Sequence, residues 1–175
     1  MKPISFEKLK PQLAPTCFVA VGAVIVGDVT IGAESSIWYN TVIRGDVFHI
    51  RIGERTNIQD LCLGHVTSGT HALIIGSDVT VGHRVVLHGC TLHDRVLVGM
   101  GGVVMDGAEV GPDSMIGAGA VVTPGTKIPP RCLALGTPAK VKRPLTEEEI
   151  AYFPVSAANY VALARRHQEA LQLLD

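Results

Sequence analysis

The chain has 175 residues, a formal net charge of -1 and 47% hydrophobic residues, which suits one domain with a sizeable core. The near-neutral charge and the 5% share of aromatic residues argue against a nucleic-acid-binding protein. The first residues, MKPISFEKLKPQLAP, lack the apolar stretch of a secretory signal, and no later apolar run reaches membrane-spanning length, so we expect a cytoplasmic protein with no membrane partner.

An aliphatic residue recurs every six positions along most of the chain. This series comprises Val19, Ile25, Ile31, Ile37 and Ile43, then Ile52 and Ile58, then Ile75, Val81 and Leu87, and finally Leu92, Val98, Val104, Val110, Ile116, Val122 and Ile128. A period of six fits neither an amphipathic helix nor a long strand. It predicts very short strands separated by regular corners, with the aliphatic residues stacked inside an all-β solenoid.

The hexapeptide pattern resembles that of the left-handed parallel β-helix, in which three hexads form one triangular coil of about 18 residues. The resemblance, and not the spacing, implies the left hand. We name the three faces by their hexads: face A begins at Ile43, face B at Ile52 and face C at Ile58. A three-residue insertion, His49-Ile50-Arg51, is predicted before face B, and a loop through residues 68–71 is predicted one coil later.

After Ile128 the pattern ends and a helical tail is predicted. Thr146 and Glu149 have the spacing of a capping box, which starts a short helix that Pro154 is expected to stop. A second helix is expected from Ser156. The predicted domains are therefore a β-helix over residues 1–143, with a short N-terminal lead-in, and a helical tail over residues 144–175 that packs on it.

The hexad positions place three histidines where one metal ion could bind. His65 and His88 occupy the second position of stacked A hexads, above Arg44, and are expected to lie one coil apart. Asp60 and His83 occupy the third position of stacked C hexads, so His83 lies on another face. A threefold assembly would bring face A of one subunit to face C of the next. The lattice thus predicts a homotrimer with His65, His83 and His88 as metal ligands.

Four segments together resemble the gamma-class carbonic anhydrase family. They are R-G-D at residues 44–46, N-I-Q-D at residues 57–60, His65, and VGHRVVLHGC, which contains His83 and His88. The resemblance covers about residues 14–145. It implies that His65 and His88 bind the metal from one subunit and His83 from the next.

The resemblance also implies the roles of other residues. Arg44 and Asp60 would form an ion pair across the subunit interface, and Asp46 would support it. Gln59 would bind the solvent on the metal, and Asn57 and Tyr160 would complete the pocket. The catalytic set predicted in this way is Gln59, Arg44, Asp46, Asp60, Asn57 and Tyr160.

The implied cofactor is Zn²⁺, although imidazole ligands also suit Fe²⁺ or Co²⁺. Three neutral imidazoles leave such an ion with an open position for water, and a metal-bound hydroxide would convert CO2 to bicarbonate. The resemblance therefore predicts a lyase of the carbonate dehydratase type. One departure concerns proton transfer, because Val47 stands where the family's best-known pattern has a glutamate, and a longer acidic loop is missing after His65. His71 in that loop is a candidate replacement for the glutamate.

Two alternative functions stay open at this point. Many acyltransferases have the same hexapeptide β-helix, and residues 136–140, GTPAK, look like the exit segment of those enzymes. A thioesterase is a related possibility. The chain could also be a catalytically weak relative that serves as a metal-binding or scaffold subunit. Acyl transfer by itself gives no reason for three histidines on matching positions.

Overall fold

A computed structural model describes residues 3–172 as a stack of short strands followed by one helix. It makes about seven coils of a parallel β-solenoid, which confirms the predicted fold class. The outermost residues of the two predicted domains, 1–2 and 173–175, lie outside the described part. The elements in chain order are β1 (Gln12–Leu13), β2 (Phe18–Val19), β3 (Val24–Ile31), β4 (Ser36–Ile37), β5 (Val42–Ile52), β6 (Asn57–Ile58), β7 (Leu63–His65), β8 (Leu73–Ile75), β9 (Thr80–Val81), β10 (Val86–His88), β11 (Thr91–Leu92), β12 (Leu97–Val98), β13 (Val103–Val104), β14 (Glu109–Val110), β15 (Met115–Ile116), β16 (Val121–Val122), β17 (Lys127–Ile128), β18 (Cys132–Leu135), β19 (Lys140–Pro144) and α1 (Glu147–Gln172).

The strands lie on the three faces that the hexads predict. Face A carries the start of β5 and then β7, β10, β13 and β16, and face B carries the end of β5 and then β8, β11, β14 and β17. Face C carries β2, β4, β6, β9, β12, β15 and β18. Neighbouring strands on a face are parallel and one coil apart, whereas β19 returns antiparallel to β18.

The aliphatic hexad residues form one continuous core inside the solenoid. All of them are buried except Val19, which is half-buried on the first coils. Each contacts its equivalents above and below because the coils stack in register, as in the pairing of Ile58 with Val81. The core therefore fixes the register, and the register fixes which outward side chains become neighbours.

The insertion before face B lies earlier in the chain than the sequence predicts. Gly27 pairs with Gly45 and Val29 pairs with Ile50, so the extra residues lie within 46–49. Ile50 and Arg51, which were expected in the insertion, belong to the regular ladder of face B. The spacing of Ile43 and Ile52 shows that three extra residues lie between these two core positions. It does not show which of the intervening residues leave the strand. The bulge begins at Asp46, directly after face A.

The corner between faces B and C carries a ladder of alternating charges. Its six residues have the left-handed backbone conformation, with φ of 50° to 59°, and are Glu34, Arg55, Asp78, Arg95, Asp113 and Arg131. Arg55 forms two hydrogen bonds with Asp78 at 2.7 and 2.9 Å, and Arg95 forms two with Asp113 at 2.6 and 2.9 Å. Each of these two-bond ion pairs joins neighbouring coils of the solenoid with a defined geometry.

The tail forms one continuous helix, so the predicted break at Pro154 is wrong. The capping box is confirmed: Thr146 N donates to Glu149 Oε2 at 2.9 Å, and Glu149 N donates to Thr146 Oγ1 at 3.2 Å. Pro154 is exposed inside the helix, where it removes one backbone hydrogen bond at a typical cost of ~3 kcal/mol. Burial of Phe153 and Ala157 on the other side of the helix offsets that cost.

Helix α1 runs along face C, where it contacts β2, β4, β6 and β9. Near the C-terminal end of α1, the ring of His167 packs against the rings of Phe18 and Trp38. The predicted boundary at residue 143 falls within β19, and the helix begins at Glu147. In the part of the chain described here, no helix combines the length and the apolar character needed to cross a membrane.

Candidate metal centre

Two of the three predicted metal ligands lie side by side on face A. Strands β7 and β10 pair so that His65 stands directly opposite His88. Gly64 and Leu87 are buried, so the alternation along each strand turns both imidazoles outward. Nδ1 of His65 lies 3.1 Å from Nε2 of His88. Two ring nitrogens therefore converge on one point outside face A.

Asp46 joins this pair to Arg44. Its position at the start of the bulge lets Oδ1 lie 3.2 Å from Nε2 of His65, while Oδ2 accepts a hydrogen bond from Arg44 Nη1 at 2.5 Å. Desolvation by burial acts to raise the pKa of Asp46, but the hydrogen bonds from Arg44 and His65 outweigh it and the pKa falls. Burial lowers the pKa of His65, which favours the neutral imidazole that a metal ion requires.

The third predicted ligand lies on face C. The pairing of β6 with β9 brings Asp60 beside His83, and Asp60 Oδ2 lies 2.7 Å from His83 Nδ1. Nearly half of the His83 side chain is exposed. Within residues 3–172 of a single chain, no group of three or more histidine, cysteine, aspartate or glutamate side chains is placed to hold a metal ion. The fold of one chain therefore brings together His65 and His88 but not His83.

Asp106 is a site residue that the sequence reasoning missed. Its Oδ1 lies 2.7 Å from His88 Nδ1, and its Oδ2 accepts a hydrogen bond from Thr67 Oγ1 at 3.0 Å. Asp106 follows His88 by 18 residues, which is one full coil. The hexad lattice therefore contained the signal, because it places these two side chains next to each other.

Each of the three predicted ligands thus has a carboxylate on one ring nitrogen: Asp46 for His65, Asp60 for His83 and Asp106 for His88. Such carboxylates fix the tautomer and the orientation of metal-binding histidines. In a tetrahedral zinc site, Zn–N distances of 2.0–2.1 Å separate two ligand nitrogens by about 3.3 Å. The 3.1 Å between His65 and His88 is close to that separation, so the donor set fits a zinc-type ion.

Two of the predicted pocket residues, Asn57 and Gln59, meet on face C, and the third, Tyr160, lies on helix α1. Gln59 Nε2 donates to Asn57 Oδ1 at 3.1 Å, and both side chains are buried. The ring of Tyr160 packs edge-on against Trp38, with ring centroids 5.6 Å apart. Burial raises the pKa of the Tyr160 hydroxyl, and the nearby Asp60 raises it further. Tyr160 therefore belongs to the aromatic cluster between α1 and face C. It also lies close enough to Asp60 for the charge of that carboxylate to affect its pKa.

The predicted ion pair between Arg44 and Asp60 does not form within one chain. Arg44 is bonded to Asp46 on face A, and Asp60 is bonded to His83 on face C. A pair between subunits stays a prediction.

Val47 and His71, the two residues that bear on proton transfer, both lie near face A. Val47 is exposed directly after Asp46. The loop of residues 67–71 closes with a hydrogen bond from Thr67 N to the His71 carbonyl oxygen at 3.0 Å. The His71 ring lies against Gly107, the residue after Asp106.

Known proteins similar to this chain were found by sequence and by structure, although no family model matches it. It is 51% identical over 162 residues to the carbonic anhydrase of Geobacillus kaustophilus, a match that covers 93% of this chain and 88% of that protein. It is 46% identical over 167 residues to "Gamma carbonic anhydrase 1, mitochondrial" of Arabidopsis thaliana, which covers 93% of this chain but spans only 60% of that protein's length. A solved structure of a hexapeptide transferase family protein from Anaplasma phagocytophilum superposes with a TM-score of 0.89 at 46% identity, covering 94% of this chain and 96% of that one.

Proposed function

Because the chain belongs to the gamma carbonic anhydrase family, we propose that it hydrates CO2 to bicarbonate at a metal site shared between subunits. One observation carries the proposal. Two imidazole nitrogens converge at 3.1 Å on face A, and each imidazole is held by a carboxylate on its other nitrogen. This arrangement is typical of metal-binding histidines, and it supplies two of the three protein ligands that the proposed site needs.

We infer that His83 of a neighbouring subunit is that third ligand, within a homotrimer. Asp60 binds Nδ1 of His83, so Nε2 is the nitrogen left to coordinate. Face C must then lie against face A of the next subunit. The corner between faces C and A supports this, since its large apolar side chains Leu61, Leu63 and Met100 are exposed. A subunit interface there would remove that apolar surface from water.

The residues present suit Zn²⁺, and Fe²⁺ or Co²⁺ fit the same three imidazoles. Such an ion, when bound, acts as a Lewis acid and lowers the pKa of coordinated water towards ~7. The protein residues position the reactants. Asp46 and Asp106 hold the two face A imidazoles in one tautomer, and Arg44 neutralises the charge of Asp46. A hydrogen bond with Gln59 would position the oxygen that reacts with CO2.

Proton release needs a group that passes a proton from the site to bulk solvent. Val47 cannot do this, because its side chain has no ionisable group. His71 lies beside Gly107 and next to the Asp106–His88 pair, and we propose that it carries the proton. If it does not, turnover would be slow, and the catalytically weak or scaffold role would describe the protein better.

Acyl transfer or thioester hydrolysis is the competing function, since the superposed Anaplasma protein is described as a hexapeptide transferase family protein. A histidine base for acyl transfer needs no second imidazole 3.1 Å away. The observed pair therefore favours metal binding over a lone general base.

The test is to purify the chain under reducing conditions, measure metal per subunit and assay CO2 hydration before and after chelation. We expect about one metal ion per subunit, activity that is lost on chelation and regained on adding metal, and no activity in His88→Ala. His93→Ala, which changes a histidine on face B outside the site, is the matched control and should behave like the wild type. Tightly bound acyl-CoA in a metal-free, inactive protein would contradict the proposal.

A further inference from the structure

A chain of four buried polar side chains leads from helix α1 to Gln59. Ser156 Oγ lies 3.1 Å from Thr80 Oγ1, Asn57 Nδ2 donates to Thr80 Oγ1 at 3.0 Å, and Gln59 Nε2 donates to Asn57 Oδ1 at 3.1 Å. The side chains are almost wholly removed from solvent, with relative exposures of 6%, 7%, 1% and 5% in that order. Buried polar groups of this kind are costly unless they are paired, so the chain of bonds strongly restrains each member.

The hydrogen bonds decide which way the two amides face. Asn57 also lies 3.4 Å from the carbonyl oxygen of Val79, which can only accept. The amino group of Asn57 must therefore face Val79, and its oxygen must face Gln59. Gln59 in turn must direct its amino group to Asn57. Its side-chain oxygen is then turned away from Asn57 and is available to accept a hydrogen bond from a ligand.

We infer that Ser156 and Thr80 are positioning residues that, through Asn57, hold Gln59 with its oxygen available to the metal centre. A carbonyl oxygen accepts but cannot donate a hydrogen bond. The Gln59 oxygen would therefore favour a small ligand that carries an O–H group, such as water or the hydroxyl of bicarbonate. This ligand assignment rests on the proposed function, whereas the amide orientation does not.

Helix α1 takes part in the site through Ser156. Phe153 and Ala157, on either side of Ser156, are buried, which fixes the helix where Ser156 meets Thr80. The Ser156 contact holds the Thr80 hydroxyl in place, and loss of that hydroxyl would leave the Asn57 amino group with only the long bond to Val79. The Gln59 amide could then turn over and present its amino group to the ligand.

The test compares Thr80→Val, which keeps the side-chain shape but removes the hydroxyl, with Thr80→Ser, which keeps the hydroxyl. Hydrogen exchange of the Gln59 side-chain amide is measured by NMR on the full chain without metal. CO2 hydration is measured on the metal-loaded protein. We expect Thr80→Val to speed exchange about tenfold and to lower kcat about tenfold with unchanged metal content, and Thr80→Ser to restore both.

Ser114→Ala is the matched control, because Ser114 is a buried hydroxyl far from Gln59 that bonds the carbonyl oxygen of Pro129. It should change neither readout. Ser156→Ala tests the same chain from its other end if Thr80→Val folds poorly. Unchanged exchange at Gln59 in both variants, or no rescue by Thr80→Ser, would overturn the inference. A wild-type protein without CO2 hydration would instead overturn the proposed function, while the exchange rates would still decide the orientation of the amide.

Discussion

His65 and His88 face each other across neighbouring coils of face A, with Nδ1 of the first 3.1 Å from Nε2 of the second. Each also contacts a carboxylate through its other ring nitrogen. This arrangement specifies the tautomers that a metal ion would need, because the nitrogen that donates to the carboxylate leaves the other free to coordinate.

Asp106→Asn should weaken metal binding by about 10- to 100-fold, because the amide holds the His88 tautomer less firmly than a carboxylate does. Affinity is measured by competition with a chelator. Glu109→Gln, which alters a carboxylate paired with Lys127 on face B, should leave the affinity unchanged. Equal affinities for Asp106→Asn and the wild type would show that Asp106 does not support His88.

His71→Ala should lower kcat for CO2 hydration at low buffer concentration, since it removes the proposed proton carrier beside Gly107. Added imidazole should restore the rate, and kcat/KM should change little. His93→Ala, on face B, is the control. If kcat of His71→Ala has the same dependence on buffer concentration as the wild type, His71 carries no proton.

Arg95→Glu should destabilise the solenoid, because it places a negative charge between Asp78 and Asp113 in the ladder between faces B and C. The expected loss is about 1 kcal/mol in the free energy of unfolding, measured in urea, and it should shrink in high salt. Lys142→Glu on the exposed strand β19 should cost less. Equal losses in both variants would mean that the ladder adds nothing to stability.

The stability of the fold should fall as the pH rises above about 9. Burial raises the pKa of the Cys90 thiol to about 12 and that of the Cys62 thiol to about 12. An unfolded thiol loses its proton near pH ~8.5, so above that pH the unfolded state binds fewer protons than the folded state. Each thiol then removes up to about 1.4 kcal/mol of stability per pH unit until the folded thiol ionises.

Cys90→Ala tests this pH dependence. The variant should be less stable than the wild type at neutral pH, because it leaves a small cavity. Its unfolding free energy should nevertheless decline less steeply between pH 8 and pH 10, as followed by urea unfolding. A parallel decline in the two proteins would contradict the assignment of a raised pKa to Cys90.

The hexad period predicts most of the fold because the core itself follows it. Residues one coil apart pack on each other, so counting by hexads also predicts that His65 meets His88 and that Asp60 meets His83. The position of the bulge at residues 46–49 could not be counted in this way, since any of the residues between two core positions can leave the strand. The cytoplasmic location stays a prediction.

The helix was mispredicted for a different reason. Pro154 is a local signal for a break, and the outcome depended on the burial of Phe153, Ser156 and Ala157 against face C, which the sequence does not display. Tertiary packing overrides local preference in such cases. Asp106 was missed although the lattice places it beside His88, because it lies one coil after the segments that carry the family resemblance.

The shared metal site is tested most directly by mixing two inactive variants. His65→Ala and His83→Ala chains should each form trimers without metal. In a trimer that contains both, one interface joins His65 and His88 of one chain to His83 of the other, so mixed trimers should bind about one metal ion each. Isolated mixed trimers that bind none, or His83→Ala trimers that bind a full complement, would show that the ligands do not cross between subunits.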